Sequence, residues 1–216
     1  MRLTHLGHSC VLVETSAARL LFDPGTLSEG FEQVRDLDAV LITHQHPDHA
    51  DLARLPGLLA ANPRAAVLVD EGTAPSVAAL AVAGLPGRVR TVRPGDHMAV
   101  GGAVVDVVGG AHAAIYEDVP GVVNVAYLVD GGAFFHPGDS LFVPDGAVDV
   151  LALPTSGPWL KVAESIDYLR AVRPRVAVPI HERAMSTTRL VYGTIERFCP
   201  AGSRFSPLVA GEPTTV

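Results

Sequence analysis

Thr43-His44-Gln45-His46-Pro47-Asp48-His49 is the most informative stretch of this sequence, because it places three histidines and an aspartate within six residues. The apolar residues 39–42 precede it directly and predict a strand that ends in this turn. Neutral imidazole is the commonest protein ligand for zinc and similar metals, and side chains on a turn past a strand end can converge on one point. A polar loop that is rich in histidine by chance is the alternative, but the spacing His-x-His-x-Asp-His disfavours it. The segment therefore predicts a metal site.

Further along the chain, other apolar segments also lead into residues that can bind a metal. They are residues 104–108 before His112, Phe134-Phe135 before Asp139, and residues 176–180 before His181. Ligands at the ends of core strands share a common rim, where the scaffold is rigid and the backbone is free to turn. We therefore expect the site to be assembled from several turns on one edge of the molecule.

Composition favours an ordinary globular α/β domain, which we expect to span residues 1–216 as one unit. Hydrophobic residues make up 48% of the chain and charged residues 18%. The formal net charge is −7, and Lys161 is the only lysine among 16 basic residues. Such a chain lacks the clustered basic surface that binding to a phosphate backbone needs. We therefore expect no nucleic-acid partner.

The predicted location is the cytoplasm. Cys10 and Cys199 are the only cysteines, and one pair in a chain of this length predicts two reduced thiols rather than a disulfide framework. His8 and Glu14 interrupt the apolar residues near the N-terminus, so we expect no signal peptide. No apolar run approaches the roughly 18 residues that a membrane span needs.

The pattern of apolar segments predicts strands alternating with helices. Three short strands are expected in residues 1–24, and a loop over residues 109–121 is expected to separate two halves of similar style. The second half begins with a hairpin across Asp130-Gly131-Gly132 and contains amphipathic helices near Ile166 and Ile195.

With these motifs in place, the chain resembles the metallo-β-lactamase fold superfamily over nearly its whole length. The resemblance is carried by the His44-to-His49 motif and by three later segments, Gly110-Ala111-His112, Gly138-Asp139-Ser140 and Pro179-Ile180-His181. It implies an α/β fold of the four-layer αβ/βα sandwich type, with two mixed sheets flanked by helices. It also implies a dinuclear site along one edge.

Within that superfamily, three further features are similar to the compact group that includes ascorbate-6-phosphate lactonase. They are Gly7-His8-Ser9, Leu21-Phe22-Asp23-Pro24, and Asn124 with Tyr127 before the Gly-Asp turn. This likeness favours a small hydrolase whose specificity is carried by a few loops.

The resemblance implies two divalent metal ions held by seven residues. One ion would be bound by His44, His46 and His112, and the other by Asp48, His49 and His181, with Asp139 bridging the two. Zinc suits this mixed imidazole and carboxylate set best, and manganese and iron are the alternatives.

Two such ions can share a water molecule and lower its pKa from 15.7 towards about 7, so that the hydroxide attacks a carbonyl or a phosphorus atom. One metal meanwhile polarises the substrate oxygen. Asp48 is expected to orient the water and to pass a proton to the leaving group. The chain contains no Gly-x-Ser-x-Gly elbow, so no separate protein nucleophile is expected.

Three residues are expected to lie next to the ligands. Asp23 would accept a hydrogen bond from a ligating histidine, as a superfamily aspartate does, and a plain turn residue before proline is the alternative. His8 is a catalytic candidate that either contacts substrate directly or has a structural role. His136, three residues before Asp139, is expected to be packed or to support the ligands rather than to bind metal.

The aromatic candidates stay open at this point. Trp159 would either wall the pocket or cap the core. Tyr116 and Tyr127 could each donate a hydrogen bond to a developing oxyanion. His5 and His97 have no supporting pattern, and we interpret both as structural.

The predicted function is hydrolysis of a small lactone, ester or phosphoester. One alternative is a non-catalytic metal-binding or sensing protein of the same fold, although such relatives usually lose ligands. A second alternative is a phosphodiesterase that acts on a lipid or nucleotide. A phosphorylated substrate would need a cationic contact, for which Arg35, Arg183 and Arg189 are candidates. The sequence leaves a homo-oligomer open.

Overall fold

The computed structural model describes residues 1–216 and arranges the chain in two mixed sheets of seven strands each. The strands of the first sheet are β1 (Arg2–His5), β2 (Val11–Glu14), β3 (Arg19–Phe22), β4 (Ala39–Ile42), β5 (Ala66–Val69), β6 (Val89–Thr91) and β14 (Thr214–Thr215). Their order across the sheet is β14-β1-β2-β3-β4-β5-β6. The antiparallel strands β1 to β3 match the three strands predicted for residues 1–24, and β3 to β6 run parallel.

The second sheet repeats this plan of antiparallel strands followed by parallel ones. Its strands are β7 (His97–Val100), β8 (Ala103–Gly109), β9 (Val125–Val129), β10 (Phe134–His136), β11 (Val150–Pro154), β12 (Val176–Ile180) and β13 (Arg204–Phe205). Their order is β13-β12-β11-β10-β9-β8-β7. β7 to β10 pair antiparallel, and β10 to β13 pair parallel.

Four helices cover the outer faces of the sheets: α1 (Leu55–Ala61), α2 (Ala74–Ala78), α3 (Val162–Val172) and α4 (Arg189–Phe198). α1 and α2 pack on the first sheet, in an apolar cluster that includes Leu58 and Val77. α3 and α4 pack on the second sheet through residues such as Leu169 and Ile195. A third cluster, of 23 buried residues, fills the space between the sheets. The expected four-layer αβ/βα sandwich is therefore confirmed.

Strands that are buried on both faces explain the unbroken apolar runs of the sequence. All four residues of β4 are buried, because one face of the strand meets the other sheet and the opposite face meets α1 and α2. Pro56 lies in the first turn of α1, where its missing N–H is not needed, so it starts the helix rather than kinking it.

The boundary between the two halves differs from the prediction. The chain passes to the second sheet at Gly95, whose φ of +97° turns the backbone between β6 and β7. Residues 110–124 instead connect β8 and β9, which are paired neighbours in that sheet. In the sequence alone, a long loop with several glycines looks like a boundary between two halves. The pairing of the strands on either side of this loop is a long-range contact, which the local sequence does not reveal.

Tyr127 joins the two sheets below the predicted rim. Its side chain is fully buried, and its hydroxyl lies 2.9 Å from the carbonyl oxygen of Ile42 and 3.1 Å from that of Leu68. Tyr127 is one of the two tyrosines that the sequence left open as oxyanion donors, and its hydroxyl is instead committed to the backbone of the first sheet.

No helix is both long enough and apolar enough to cross a membrane.

Candidate metal centre

The turn after β4 is held in place by Asp23, which follows β3. Asp23 accepts hydrogen bonds from the backbone N–H of Thr43 (2.8 Å) and from its hydroxyl (2.7 Å). It also accepts one from Nδ1 of His49 at 2.7 Å. Since a carboxylate can only accept, the proton of His49 is on Nδ1, and Nε2 faces the centre. Asp23 is therefore placed as the sequence predicts for a residue that orients a ligand.

Thr43 extends this network to His44. Its hydroxyl donates to Asp23 and therefore accepts from Nδ1 of His44, at 3.0 Å. Nδ1 of His112 donates in the same way to the carbonyl oxygen of Ala113. In each neutral ring Nε2 is then unprotonated, which is the arrangement that metal-binding histidines adopt.

The seven predicted ligands lie in two adjoining groups. The first consists of His44, His46, His112 and Asp139, whose potential ligand atoms all lie within 4.8 Å of one another. Within it, Nε2 of His44 lies 3.0 Å from Nδ1 of His46, and Nε2 of His112 lies 3.3 Å from Oδ2 of Asp139. These four residues come from three separate turns.

The second group consists of His8, Asp48, His49 and His181, again with ligand atoms within 4.8 Å of one another. Oδ2 of Asp48 lies 3.6 Å from Nε2 of His181 and 3.9 Å from Nε2 of His49. His8 was not predicted as a ligand, yet its Nε2 is 3.0 Å from Oδ2 of Asp48. Its ring has no exposed surface, which favours support of Asp48 over direct contact with substrate.

Asp139 lies between the two groups. Its Oδ1 is 3.0 Å from Nε2 of His49, and its Oδ2 is 3.2 Å from Nε2 of His181. The amide of Asn124 accepts from the backbone N–H of Asp139 at 3.0 Å and so fixes the turn. Nε1 of Trp159 donates to Oδ2 of Asp139 at 2.8 Å. The carboxylate of Asp139 therefore lies within reach of both ligand groups, and the hydrogen bond from the indole fixes its orientation.

Trp159 thus has a polar contact that the sequence did not reveal. Its side chain is 7% exposed and its ring packs edge-on against the rings of His112 and His181. Gly157 allows this placement, because a Cβ there would lie 2.8 Å from Nε1 of Trp159. The contact joins two loops 20 residues apart, and the only sequence signal for it is a tryptophan next to Gly-Pro between two ligand turns.

His136 lies behind the ligands, as expected for a supporting residue. It is fully buried and stacks on Phe22. Its Nδ1 accepts from the backbone N–H of Gly138 at 3.2 Å, while Nε2 donates to the carbonyl oxygen of Ser9 at 3.0 Å. Both nitrogens are therefore used within the protein.

Burial and neighbouring charges shift the pKa values of several of these groups. Burial, reinforced by the charge of His49, holds the pKa of His44 well below its usual value. Burial also lowers the pKa of His46, and His112 adds to the effect. Burial alone would raise the pKa of Asp139, but the charge of His49 and the contacts from His112, His181 and His49 together outweigh it and hold that pKa well below the ordinary range. The result favours neutral imidazoles at His44 and His46 beside an ionised Asp139. At His49 burial opposes protonation, but the charges of Asp139 and Asp23 outweigh it and hold the pKa well above its usual value.

Several buried polar atoms at the centre have no hydrogen-bond partner, although they lie close to one another. They are Nε2 of His49, His112 and His181, and Oδ1 of Asp139. Buried polar atoms are nearly always hydrogen-bonded, so a cluster of unpaired ones that point at one place needs an explanation. Divalent metal ions satisfy imidazole nitrogen and carboxylate oxygen together. The residues present therefore fit such ions.

Comparison with known proteins identifies the family. A model described as the β-lactamase superfamily domain matches residues 2–181. The chain belongs to this superfamily. Protein Rv0786c of Mycobacterium tuberculosis is 50% identical to it over 186 residues, which cover 84% of each chain. A UPF0173 metal-dependent hydrolase of Opitutus terrae is 28% identical over 207 residues, again 84% of each.

Solved structures of other proteins have the same fold as this chain. Igni18, a metallo hydrolase from Ignicoccus hospitalis, matches it with a TM-score of 0.75 and 19% identity, covering 99% of this chain and 97% of that one. At this identity the likeness shows the fold alone. The predicted family and enzyme class are confirmed: the protein is a metal-dependent hydrolase of the metallo-β-lactamase superfamily.

Proposed function

We propose that the protein binds two divalent metal ions, one in each ligand group, and hydrolyses a small lactone, ester or phosphoester. The observation that carries this proposal is the position of Asp139, whose two carboxylate oxygens lie 3.0 Å from His49 and 3.2 Å from His181 while one of them is also 3.3 Å from His112. A single carboxylate within reach of both groups suits a bridge between two ions.

Zinc is the ion that best fits five imidazoles and two carboxylates, and manganese and iron are the alternatives. When bound, such a pair lowers the pKa of a water molecule towards about 7 and polarises the oxygen of the substrate. His44, His46 and His112 would hold one ion.

Asp48, His49 and His181 would hold the other ion, and Asp48 has a second task in this proposal. Its side chain is 28% exposed, so it is the carboxylate of the centre that meets solvent. Burial opposes ionisation of Asp48, but the hydrogen bond from His8 and the charge of His49 outweigh it and lower its pKa. An ionised Asp48 can accept a hydrogen bond from the attacking water and orient it.

His8 is a positioning residue in this scheme. Its Nε2 donates to Asp48, and its backbone N–H donates to Oε1 of Glu182 at 2.9 Å. Its carbonyl oxygen accepts from Nε2 of His5 and from the backbone N–H of His181. These contacts link the first sheet to the turn that carries His181.

Element-resolved metal analysis of protein purified without chelator tests the proposal. We expect about two equivalents of divalent metal per chain and about one in His44→Ala and in His181→Ala, because each variant removes a ligand from one group only. The intact protein should also hydrolyse at least one generic lactone, carboxylic ester or phosphodiester. A single ion that either variant abolishes would contradict the two-ion assignment, and metal loading without any hydrolysis would favour sensing over catalysis.

The proposal includes a cytoplasmic location, a small-molecule substrate and no nucleic-acid partner. Cys10 and Cys199 carry free thiols, the state that a reducing compartment maintains. The net charge of −7 opposes binding to a phosphate backbone. Light scattering of the purified protein decides between a monomer and a homo-oligomer.

A further inference from the structure

A cavity of about 170 Å³ adjoins the first ligand group, with His46 and His112 in its wall. The rest of its wall is the loop between β8 and β9. The apolar residues of that loop that line the cavity are Ala113, Ala114, Ile115, Val119, Pro120 and Val122. A molecule in this cavity would therefore contact hydrocarbon on one side and two metal ligands on the other.

The loop is fixed against the centre at its start. The backbone N–H of His112 donates to the carbonyl oxygen of Val122 at 3.1 Å, which closes the loop on itself. The next N–H, that of Ala113, donates to the carbonyl oxygen of Asp139 at 2.8 Å. The apolar wall is therefore attached to the same residue that lies between the two ligand groups.

Two apolar side chains of the loop are open to solvent. Ile115 is 40% exposed and Val119 is 47% exposed. Exposed apolar side chains grouped around a concavity with a few polar groups are typical of a ligand site. The volume is below the roughly 300 Å³ at which pockets for drug-sized molecules begin, so the cavity suits one small substituent.

The charges around the cavity disfavour a phosphate group there. Glu117 is the only acidic residue of the lining, and no lysine or arginine is part of it. Arg183, which follows His181 closely in sequence, forms ion pairs with Glu29 at 3.1 Å and with Glu182 at 3.5 Å. Binding of a phosphate uses charge-assisted hydrogen bonds from cationic side chains, which this wall does not provide.

Arg35 and Arg189, the other cations considered for phosphate, are also placed elsewhere. Nη1 of Arg35 donates to the backbone carbonyl oxygens of Glu32 and Val34, within its own turn. Arg189 lines a separate groove along α4, together with Leu190.

We propose that the substrate is an uncharged carboxylic ester or lactone, and that its acyl chain occupies the cavity beside Ile115 and Val119. This inference rests on the proposed function and names its substrate class. In the reaction, water supplies a hydroxyl to the acyl carbon and the bond from that carbon to the leaving oxygen breaks. The leaving oxygen takes the remaining proton of the water, and the carboxylic acid product ionises in solution.

Acyl-chain dependence tests this assignment, with p-nitrophenyl acetate, butanoate and hexanoate as probes and bis-p-nitrophenyl phosphate as the phosphorus counterpart. On the metal-loaded protein, kcat/KM should rise about fourfold for each methylene that the cavity buries. Ile115→Ser and Val119→Ser should each lower the ratio of hexanoate to acetate kcat/KM by about fourfold or more. Both side chains are partly exposed, so the variants should keep the metal content and melting temperature of the parent.

Leu190→Ser is the matched control, because Leu190 is 78% exposed and lies on α4, away from the cavity. It should leave the hexanoate-to-acetate ratio unchanged. Ester hydrolysis with equal kcat/KM for all chain lengths would overturn the cavity assignment and leave the proposed hydrolase intact. Hydrolysis of the phosphodiester alone would overturn the ester assignment in the same way. A metal-loaded protein that hydrolyses none of the probes would overturn the proposed function itself.

Discussion

Replacing Trp159 by phenylalanine should weaken metal binding without disturbing the fold. The change removes the N–H that donates to Oδ2 of Asp139 at 2.8 Å, while an aromatic ring still fills a site that is 7% exposed. A hydrogen bond to a charged group contributes about 1.5–3 kcal/mol, and about 1.4 kcal/mol corresponds to tenfold in affinity. Loss of a residue that orients a metal ligand costs about 10–100-fold. Both estimates predict a metal dissociation constant that rises by about one to two orders of magnitude.

Competition with a chromophoric chelator measures this change for zinc and for manganese. Gly157→Ala is a second variant that keeps the indole but displaces it, because its Cβ would lie 2.8 Å from Nε1. It should also weaken binding. Since Trp159 is the only tryptophan, its fluorescence in the parent protein should change as metal is added. Parental affinity in both variants, with unchanged unfolding of the metal-free proteins, would refute the role of the indole.

Three further substitutions test other parts of the structure. Asp23→Asn should raise the metal dissociation constant by about 10–100-fold in the chelator assay. The N–H of His49 now donates a hydrogen bond to the carboxylate of Asp23, and in the variant it would face an amide nitrogen that cannot accept one. Gly25→Ala should lower the free energy of unfolding by about 3 kcal/mol or more in urea, since its Cβ would lie 1.8 Å from the carbonyl oxygen of Asp48. Tyr127→Phe should lower that free energy by about 1–3 kcal/mol and leave the metal content unchanged, because its hydroxyl serves two backbone carbonyls.

Each of these substitutions has a matched control on the surface. Asp36→Asn changes another aspartate with positive φ, but an exposed one, and should not alter metal affinity. A Cβ at Gly57, within α1, meets nothing within 4 Å, so Gly57→Ala should not destabilise the protein. Tyr116 is 59% exposed, and Tyr116→Phe should leave the free energy of unfolding unchanged. Equal losses in a variant and its control would contradict the corresponding explanation.

Local patterns in the sequence predict a large part of this structure. Residues 39–42 form a strand with the predicted bounds, because an unbroken apolar run followed by a polar turn leaves few other arrangements. The predicted ligands converge because each follows a core strand that ends at the same edge. Asp23 lies beside His49 for the same reason, since β3 and β4 are parallel neighbours.

The features that the sequence did not reveal depend on contacts between distant segments. Trp159 reaches Asp139 only because the loop after β11 folds over the turn after β10. The hydroxyl of Tyr127 crosses from one sheet to the other, and no local pattern distinguishes it from a tyrosine in the pocket. Because β8 pairs with β9 across the fifteen residues 110–124, that loop lies within the second sheet. The chain therefore passes from the first sheet to the second earlier, at Gly95.

The predicted ligands also lie on both sides of the boundary between the two sheets, so bound metal would add to the cohesion of the whole molecule. His44 and His49 follow a strand of the first sheet, whereas His112, Asp139 and His181 follow strands of the second. A bound pair of ions would therefore act as a further cross-link between two layers that apolar packing and hydrogen bonds such as those of Tyr127 already join. A ligand that binds only the native state adds about 2.7 kcal/mol of stability at a hundredfold excess over its dissociation constant. The melting temperature of this enzyme in a cell would then vary with the free concentration of its metal. A low metal concentration would lower the amount of folded protein as well as its activity.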